Sequence, residues 1–540
     1  MTAVKEPRAQ AVNPFWGWLT GMPVGLSLLA IGGAMPLVYG LGLALPYPLA
    51  FGLANPRATW VKAGEGSLLT MAAQIAIYLL LTLLYLAALR CFAAKTPAPA
   101  QWAQIGWIFL IWALCSCTLL AVSPNGESHD LYDYLFRGRM MDRFGVSPLA
   151  VTPNTYPNAP YYRYVAWKKH VDTYGPLWEY TSAITAKAVR ILLRWNGNFA
   201  PQLNCPGSLA GCQTLAGYIT GYRLLALLLT GLSALLLQAI VRTIDPAAVP
   251  QALAIWLWNP LLLMATAVGA HNDALMIWFF FLTFWCWQHG RWLPGWLAFG
   301  LATQVKLTAL LLTPVLGLWL VYKIGWLRAL LVSLGAAALM VGISWLLYQP
   351  LGGWATLPRM LHERQLFVAH SWAQVLYFLL YKWSGWPYAL VQPLLVTWPT
   401  WLFLAPAALL LARTFTGMTP ERRQRDLYRA CALLTLLYLV VGSFWFQSWY
   451  VVWVLAPAAL WVEGRFPRQS LPWLCWGALC SNVVYDHLTQ LPIATGPAAY
   501  LYRLAVTLLV VLTIWAPLFI AQGMGMRKLF IPLEVKRLGE

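Results

Sequence analysis

Residues 102–139 read WAQIGWIFLIWALCSCTLLAVSPNGESHDLYDYLFRGR. Trp102 to Val122 holds no charged residue, whereas the segment that follows carries Glu127, Asp130, Asp133, Arg137 and Arg139. A membrane-spanning helix needs about 20 apolar residues, because each advances about 1.5 Å across a hydrocarbon core roughly 30 Å thick. Trp102–Val122 therefore reads as a span. The acidic cluster begins where that span leaves the bilayer, a place where carboxylates are costly and so are candidates for chemistry.

The same pattern recurs along the chain. Of 540 residues 60% are hydrophobic and 10% charged, with a mean hydropathy of +0.62, against roughly 25% charged residues in a soluble domain. A polytopic, all-α integral membrane protein follows. Apolar runs occur near Gly25–Leu45, Leu69–Phe92, Trp102–Val122, Tyr218–Val241, Ala252–Val268, Ala274–Trp287, Leu327–Tyr348, Leu390–Leu411, Tyr428–Val441, Val451–Val462, Leu471–Val484 and Tyr500–Phe519. Leu293–Tyr322 is too long for one span and contains Lys306, so it reads as two short segments meeting at that lysine and lining a polar cavity. The total is about 14 segments.

Basic residues set the orientation. Lys5 and Arg8, Arg90 and Lys95, Arg291, Lys323 with Arg328, the cluster Arg422, Arg423, Arg425 and Arg429, then Arg465 with Arg468, and Arg527, Lys528, Lys536 and Arg537 fall on one side. By the positive-inside rule that side and both termini are cytoplasmic. Much of the +19 formal charge is thereby explained without nucleic acid, for which the chain has no motif. Residues 123–217 then form a large first exoplasmic loop between N-terminal spans (1–122) and a transmembrane bundle (218–540). The turns at His271, near Lys306, from Gln349 to Trp386 and around Gln447 share its side. Glu179, Lys187, Arg190 and Arg194 interrupt Leu177–Leu193, which reads as an amphipathic helix on the membrane surface; a spanning helix there would invert the downstream sidedness. The first apolar run is long and begins well inside the chain, so it reads as a retained helix and not a cleavable signal peptide. Of nine cysteines, only Cys205 and Cys212 sit in a polar loop, where an exoplasmic setting would permit a disulfide.

Glu127, His129, Asp130 and Asp133 are followed by Arg137, Arg139 and Arg143, then by Tyr156, Tyr161, Tyr162, Tyr164, Trp167 and Tyr174. A carboxylate can act as general base, arginines hold phosphate oxygens, and aromatic rings cover sugar faces or anchor at the interface. Together they suggest a substrate that bears a phosphate and hydroxyls. Asp130, Asp133 and Arg137 share one helical face. Simpler roles compete: a solvated loop with belt aromatics, a helix cap for Asp130, His271 or Asp273, a snorkelling Lys306, belt positions for Trp449 and Tyr450, and a surface helix for Arg359–Arg364 with His362 and Glu363.

Taken in order, these segments resemble a known family. Ser128-His129-Asp130-Leu131-Tyr132-Asp133-Tyr134-Leu135-Phe136-Arg137-Gly138-Arg139, with Gly145-Val146-Ser147-Pro148, resembles the first-loop signature of the GT-C polyprenyl-phosphate-sugar-dependent glycosyltransferases. Among these, the bacterial polyprenol-phosphate-mannose alpha-mannosyltransferases are the most similar. Tyr174-Gly175-Pro176-Leu177, Asn259-Pro260 with Gly269-Ala270-His271-Asn272-Asp273-Ala274, Val305-Lys306-Leu307-Thr308 with Pro314, and Phe446-Gln447-Ser448-Trp449-Tyr450 with Trp453 are similar to that family's later elements. The chain departs from the pattern at His129, where the family often has a second acid, at Asp133, where a basic residue is common, and at Ser448, which replaces a proline.

The resemblance implies a GT-C-like bundle in the plasma (inner) membrane with an exoplasmic active site. It implies an inverting transferase that passes a hexose, mannose by this likeness, from a polyprenyl-phosphate-linked donor to a hydroxyl of a glycan or glycolipid acceptor, with membrane lipids around it. Asp130 matches the family's first-loop acid and would be the general base. Lys306, Arg139 and Arg364 would stabilise the departing phosphate. Glu127, His129, Asp133, Arg137, Tyr174, His271, Asp273, Gln447 and Trp449 complete the expected substrate-binding set. No metal is required on this reading, although Glu127, Asp130 and Asp273 offer oxygen ligands for a divalent ion. Two other classes use similar ingredients. A lipid-linked-sugar transporter or flippase more often shows inverted repeats and midplane charges, and a non-catalytic scaffold subunit of an envelope-glycan assembly complex would not need Asp130.

Overall fold

The computed structural model describes residues 24–56, 58–92, 98–200, 205, 208–416, 423–491 and 499–523. Both chain ends lie outside them, as do Lys5, Arg8, Lys95, Arg422, Arg527, Lys528, Lys536 and Arg537, on which the orientation partly rests. Among the described residues there is no strand, only two isolated bridges, Pro48 with Val122 and Ala369 with Trp445. Seven helices among the described residues are long and apolar enough to cross a membrane: Leu68–Phe92, Gln101–Leu120, Ala210–Ile244, Leu307–Ile324, Trp326–Leu351, Tyr388–Thr416 and Ala499–Gly523. Pro246–Leu257 and Pro260–Val268, bent by 52°, make an eighth if counted together.

Length and apolarity thus account for seven or eight of the 14 expected segments. Several other runs form shorter helices, such as Asp273–Gln288 (16 residues), Trp292–Val305 (14) and Val452–Leu460 (9). Val452–Leu460 is buried throughout, and so is most of Asp273–Gln288. Where protein and not lipid surrounds a helix, bilayer thickness no longer dictates its length. Trp256 and Trp258 are fully buried in this interior, and both indoles find an acceptor, Trp258 Nε1 at Ile108 O (2.9 Å) and Trp256 Nε1 at Thr230 O (3.2 Å).

Sequence explains the breaks that shape the site. Pro260 has no N–H, and Asn259 Oδ1 accepts from Leu261 N and Leu262 N, so one helix stops and another starts there. At Lys306 the backbone is extended (φ −152°, ψ 119°), separating Trp292–Val305 from the 3₁₀ turn Leu307–Leu312. The expected interruption is therefore present. Arg223, fully buried, donates to Val268 O (3.0 Å), Leu120 O (3.0 Å) and Val122 O (2.8 Å). It ties the end of Gln101–Leu120 to the chain just before His271.

Pro176–Trp195 is amphipathic, with Trp178, Glu179, Ser182, Ala186 and Val189 buried and Ile184, Ile191, Leu192 and Trp195 exposed. It is not among the helices long and apolar enough to cross a membrane. Two glycines allow it to dock. A Cβ at Gly138 would lie 2.3 Å from Tyr222 Oη and 2.6 Å from Ser182 O, and one at Gly175 would lie 2.0 Å from Gln304 O. Gly175 N instead donates to Val305 O at 2.9 Å.

Cys205 and Cys212 are joined by a disulfide, and Arg163 Nη2 donates to Cys205 O at 2.6 Å. Closing so short a loop is worth roughly 2 kcal/mol by chain entropy. Cys205→Ser should lower the thermal midpoint in detergent by several degrees, and a reducing agent should move the parent, but not the variant, by the same amount. Equal midpoints would assign the bond no stabilising role.

Candidate active site

Asp130 opens the helix Asp130–Arg139, and the chain entering it is pinned beforehand. Asn125 Nδ2 donates to Asn55 O (2.9 Å) and Ala58 O (2.7 Å), and its Oδ1 accepts from Tyr132 Oη (2.8 Å). Ser128 Oγ accepts the Asp130 N–H at 2.9 Å. The Asp130 carboxylate is therefore left out of helix capping. It turns into a cavity of about 520 Å³ lined by Glu127, His129, Asp130, Tyr174, Arg364, Gln447 and Trp449 among others, a ligand-sized volume. There Asp130 Oδ1 accepts from Trp167 Nε1 (3.4 Å) and Oδ2 from Tyr174 Oη (3.3 Å). Burial pushes its carboxyl above the ordinary range, while Trp167, Lys306 and Tyr174 pull it back.

Asp133 and Arg137 also line this cavity, but their polar atoms hold the loop opposite. Asp133 accepts from Ala166 N (3.0 Å) and Trp167 N (3.1 Å). Arg137 Nη2 donates to Trp167 O (3.2 Å) and His170 O (3.0 Å), and its Nε lies 3.4 Å from Asp172. The shared face expected for Asp130, Asp133 and Arg137 exists, and two of its members position Trp167 against the third. Burial pushes Asp133 up to about 7, against the pull of Arg137 and the backbone N–H groups. Arg139 lies elsewhere: Nη1 donates to Pro160 O (2.7 Å) and its guanidinium covers the rings of Tyr161 and Tyr218. It is not among the cavity-lining residues.

Positive charge reaches the site through aromatic rings. Lys306, 5% exposed, pairs with Asp273 at 2.9 and 3.1 Å, and Trp453 Nε1 donates to the same carboxylate. The Lys306 ammonium lies 5.3 Å from the Tyr174 ring centre, 4.7 Å from Tyr450 and 5.1 Å from Trp453. So it is buried and paired, and does not snorkel. Arg364 Nη2 donates to Tyr450 Oη at 2.7 Å, with the guanidinium against Trp445 and Tyr450. Tyr174 thus touches both Asp130 and the lysine.

Glu127 approaches from another wall. Its Oε1 accepts from Ser448 Oγ at 3.4 Å and lies 4.0 Å from His271 Nε2. Burial pushes it up to about 8, so near neutral pH Glu127 mostly keeps its proton. His271, 1% exposed, stacks on Trp449 with ring centres 3.8 Å apart. Burial also pushes His129 down, toward its neutral form. Among the described residues no group of three His, Cys, Asp or Glu side chains is placed to hold a metal ion.

Several lining residues escaped the sequence reading. His170 Nδ1 meets Glu363 Oε2 at 2.7 Å, and Asp172, His370, Trp445, Asn482, Tyr485 and Asp486 also face the cavity. Arg359–Arg364, which by sequence also reads as a surface helix, lies within the helix Thr356–Gln365. It has an exposed side and also delivers Glu363 and Arg364 to the site. For Asp486 a signal was present in the sequence, a carboxylate just past the apolar run Leu471–Val484.

The chain is similar to known families over this region. A family model described as alpha-(1->6)-mannopyranosyltransferase, N-terminal domain, matches residues 28–322, more than half of the chain. One described as ALG3 protein matches residues 268–384. No curated protein matches.

Proposed function

Since the chain belongs to the alpha-(1->6)-mannopyranosyltransferase family and is a membrane glycosyltransferase, we propose that its cavity moves mannose from a polyprenyl-phosphate-linked donor to a hydroxyl of a glycan or glycolipid. One observation carries the reading: the Asp130 carboxylate enters the cavity within hydrogen-bonding reach of Tyr174, whose ring also lies against Lys306. Arg364 lines the cavity with this base, whereas Lys306, like His271 and Asp273, is not among the lining residues and acts from behind the Tyr174 and Tyr450 rings.

The acceptor oxygen attacks the anomeric carbon as its proton passes to Asp130. The bond from that carbon to the phosphate oxygen breaks, and the lipid phosphate departs with the electron pair. Lys306 and Arg364 offset its charge, so the proposal needs no metal. A single base acting in one displacement inverts the anomeric carbon, with no second carboxylate needed as nucleophile.

An exoplasmic location fits the arrangement of charge. Val452–Leu460 leads from Tyr450, in the cavity, toward Glu463, which pairs with Arg425 at 2.6 Å. Leu471–Thr489 leads from Arg465 and Arg468 toward Asp486, again in the cavity. Both helices thus join a basic end to the site, as the positive-inside rule requires if the cavity faces outward. Lipids supply the donor and the surroundings, and nucleic acid has no part in the reading.

Purified protein given radiolabelled polyprenyl-phosphate mannose and a membrane-lipid acceptor extract should transfer label to the extract. No transfer, from this donor or from glucose- and pentose-linked ones, would overturn the reading. The base must be deprotonated to act, so kcat/KM should fall as pH drops through a limb set by Asp130. Because burial raises that group, the limb should lie above the usual carboxylate range of roughly 4. The Glu127→Gln variant should keep the limb; its disappearance there would move the base assignment to Glu127.

A further inference from the structure

One wall of the cavity remains without a task. Asn482, Tyr485 and Asp486 fall at i, i+3 and i+4 of Leu471–Thr489, so one helical face presents all three. All three line the cavity, and they lie outside both segments matched by known families. Asn482 Nδ2 donates to Ser448 Oγ (3.1 Å) and Glu127 O (3.4 Å), which locks this face to the Glu127 side of the site. The Tyr485 ring meets His370 with centres 4.7 Å apart.

His370 is held unusually. Its backbone is left-handed (φ 50°), its N–H donates to Gln374 Oε1 at 2.6 Å, and it is 8% exposed. Its Nδ1 is buried without a hydrogen-bond partner, although the residue borders the cavity. A buried polar atom left unpaired is unfavourable until something bonds to it. A sugar hydroxyl, which both donates and accepts, answers that need.

Charge selects further. Among the described lining residues only Arg137 and Arg364 carry a fixed positive charge. Arg137 is occupied by Asp133, Asp172 and two carbonyls, and Arg364 is bonded to Tyr450. Among the described lining residues the Asn482–Asp486 face carries no cation, and Arg503 acts on Tyr485 from outside the lining; an anion there would meet Asp486 and Glu127 once each is ionised, both being raised by burial.

We propose that Asn482, Tyr485 and Asp486, with Glu127 and His370, form the acceptor-holding wall of the cavity, and that this wall takes an uncharged, hydroxyl-rich sugar ring. Asp486 accepts hydrogen bonds from ring hydroxyls, Tyr485 covers an apolar sugar face, and His370 Nδ1 bonds a further hydroxyl. This rests on the transfer reading above, because the acceptor is defined by the donor it meets.

The full-length protein would be assayed with polyprenyl-phosphate mannose as donor and octyl α-mannobioside as the acceptor probe. Asp486→Asn, nearly isosteric, and Tyr485→Phe serve as variants. For Asp486→Asn the acceptor KM should rise by about tenfold or more, with the donor KM moving less than about twofold; Tyr485→Phe should fold and change the acceptor KM less. A donor KM that rises while the acceptor KM stays would overturn the assignment and leave the transfer reading standing. So would a better acceptor rate with a phosphate-bearing mannoside than with the neutral probe. In parallel, equilibrium binding of tritiated octyl α-mannobioside, without donor, should weaken in Asp486→Asn and persist in Arg364→Gln. If the parent binds this probe but transfers nothing, the transfer reading fails separately; if the parent does not bind it, the wall assignment fails.

Discussion

Asp130→Asn should abolish measurable transfer, lowering kcat by roughly 10²–10⁴-fold, the range ascribed to a positioned general base. Asparagine keeps the shape: its Oδ1 can still accept from Trp167, which bonds one carboxylate oxygen, while its Nδ2 would donate to the Tyr174 hydroxyl, which now donates to the other. What it cannot do is take a proton. Donor binding should therefore survive, and KM for the lipid-linked sugar should stay within about twofold, since an interaction made only in the transition state shows in kcat. The helix itself should not suffer, because Ser128 and not Asp130 bonds the N–H that opens it. A variant that still transfers label at a tenth of the parental rate would exclude Asp130 as the base and move that role to another group; no transfer by the parent would return weight to a transporter or scaffold.

The second large effect falls on Lys306. Lys306→Met should lose transfer by at least about 10²-fold, the scale of removing one transition-state charge stabiliser, and should also unfold more readily. The second loss has a different cause: Asp273, 2% exposed, would keep only Trp453 as a partner, and a buried charge stripped of its counterion is destabilising by about 3–5 kcal/mol. Adding Asp273→Asn separates the two effects. The double variant removes the stranded charge and should recover most of the thermal midpoint, while transfer should stay lost. Recovery of both would reduce the ion pair to a packing device; recovery of neither would mean that the ammonium braces the break through the Tyr174, Tyr450 and Trp453 rings and not through Asp273.

The parts of the site that could be read from sequence are those where polar residues interrupt an apolar run. Asp130 after Trp102–Val122 and Lys306 within Leu293–Tyr322 advertise a break locally, and the fold has a break at each; Ala252–Val268 reads as one run, yet the fold bends it by 52° at Asn259-Pro260. Asp133 and Arg137 were visible as members of one helical face. That they grip residues 166–172 was not, because periodicity gives a face without naming its partner. His170 and Glu363 meet across almost 200 residues of chain, and Asn482 reaches Glu127 across more than 350; spacing along the sequence carries no trace of either. Arg139 shows the converse. Its place in the motif suggested a phosphate ligand, whereas its guanidinium lies against Tyr161 and Tyr218, away from the cavity-lining residues. Apolar length in the sequence counts about 14 segments, of which seven or eight among the described residues are helices long and apolar enough to cross a membrane; a helix enclosed by other helices is as apolar as a lipid-facing one.

The hydrogen bond from Gly175 N to Val305 O joins two residues whose next neighbours are Tyr174 and Lys306. On the proposed mechanism Tyr174 bonds the base, and Lys306 supplies charge for the leaving group. A displacement in which one bond forms as another breaks requires attack and departure to be held a fixed distance apart, and here main chain sets that distance. Side chains can rotate; this stitch cannot lengthen without pulling both ends of the reaction axis together. The glycine therefore acts as a ruler, so that the timing of proton removal and phosphate release is written into backbone geometry ahead of any substrate.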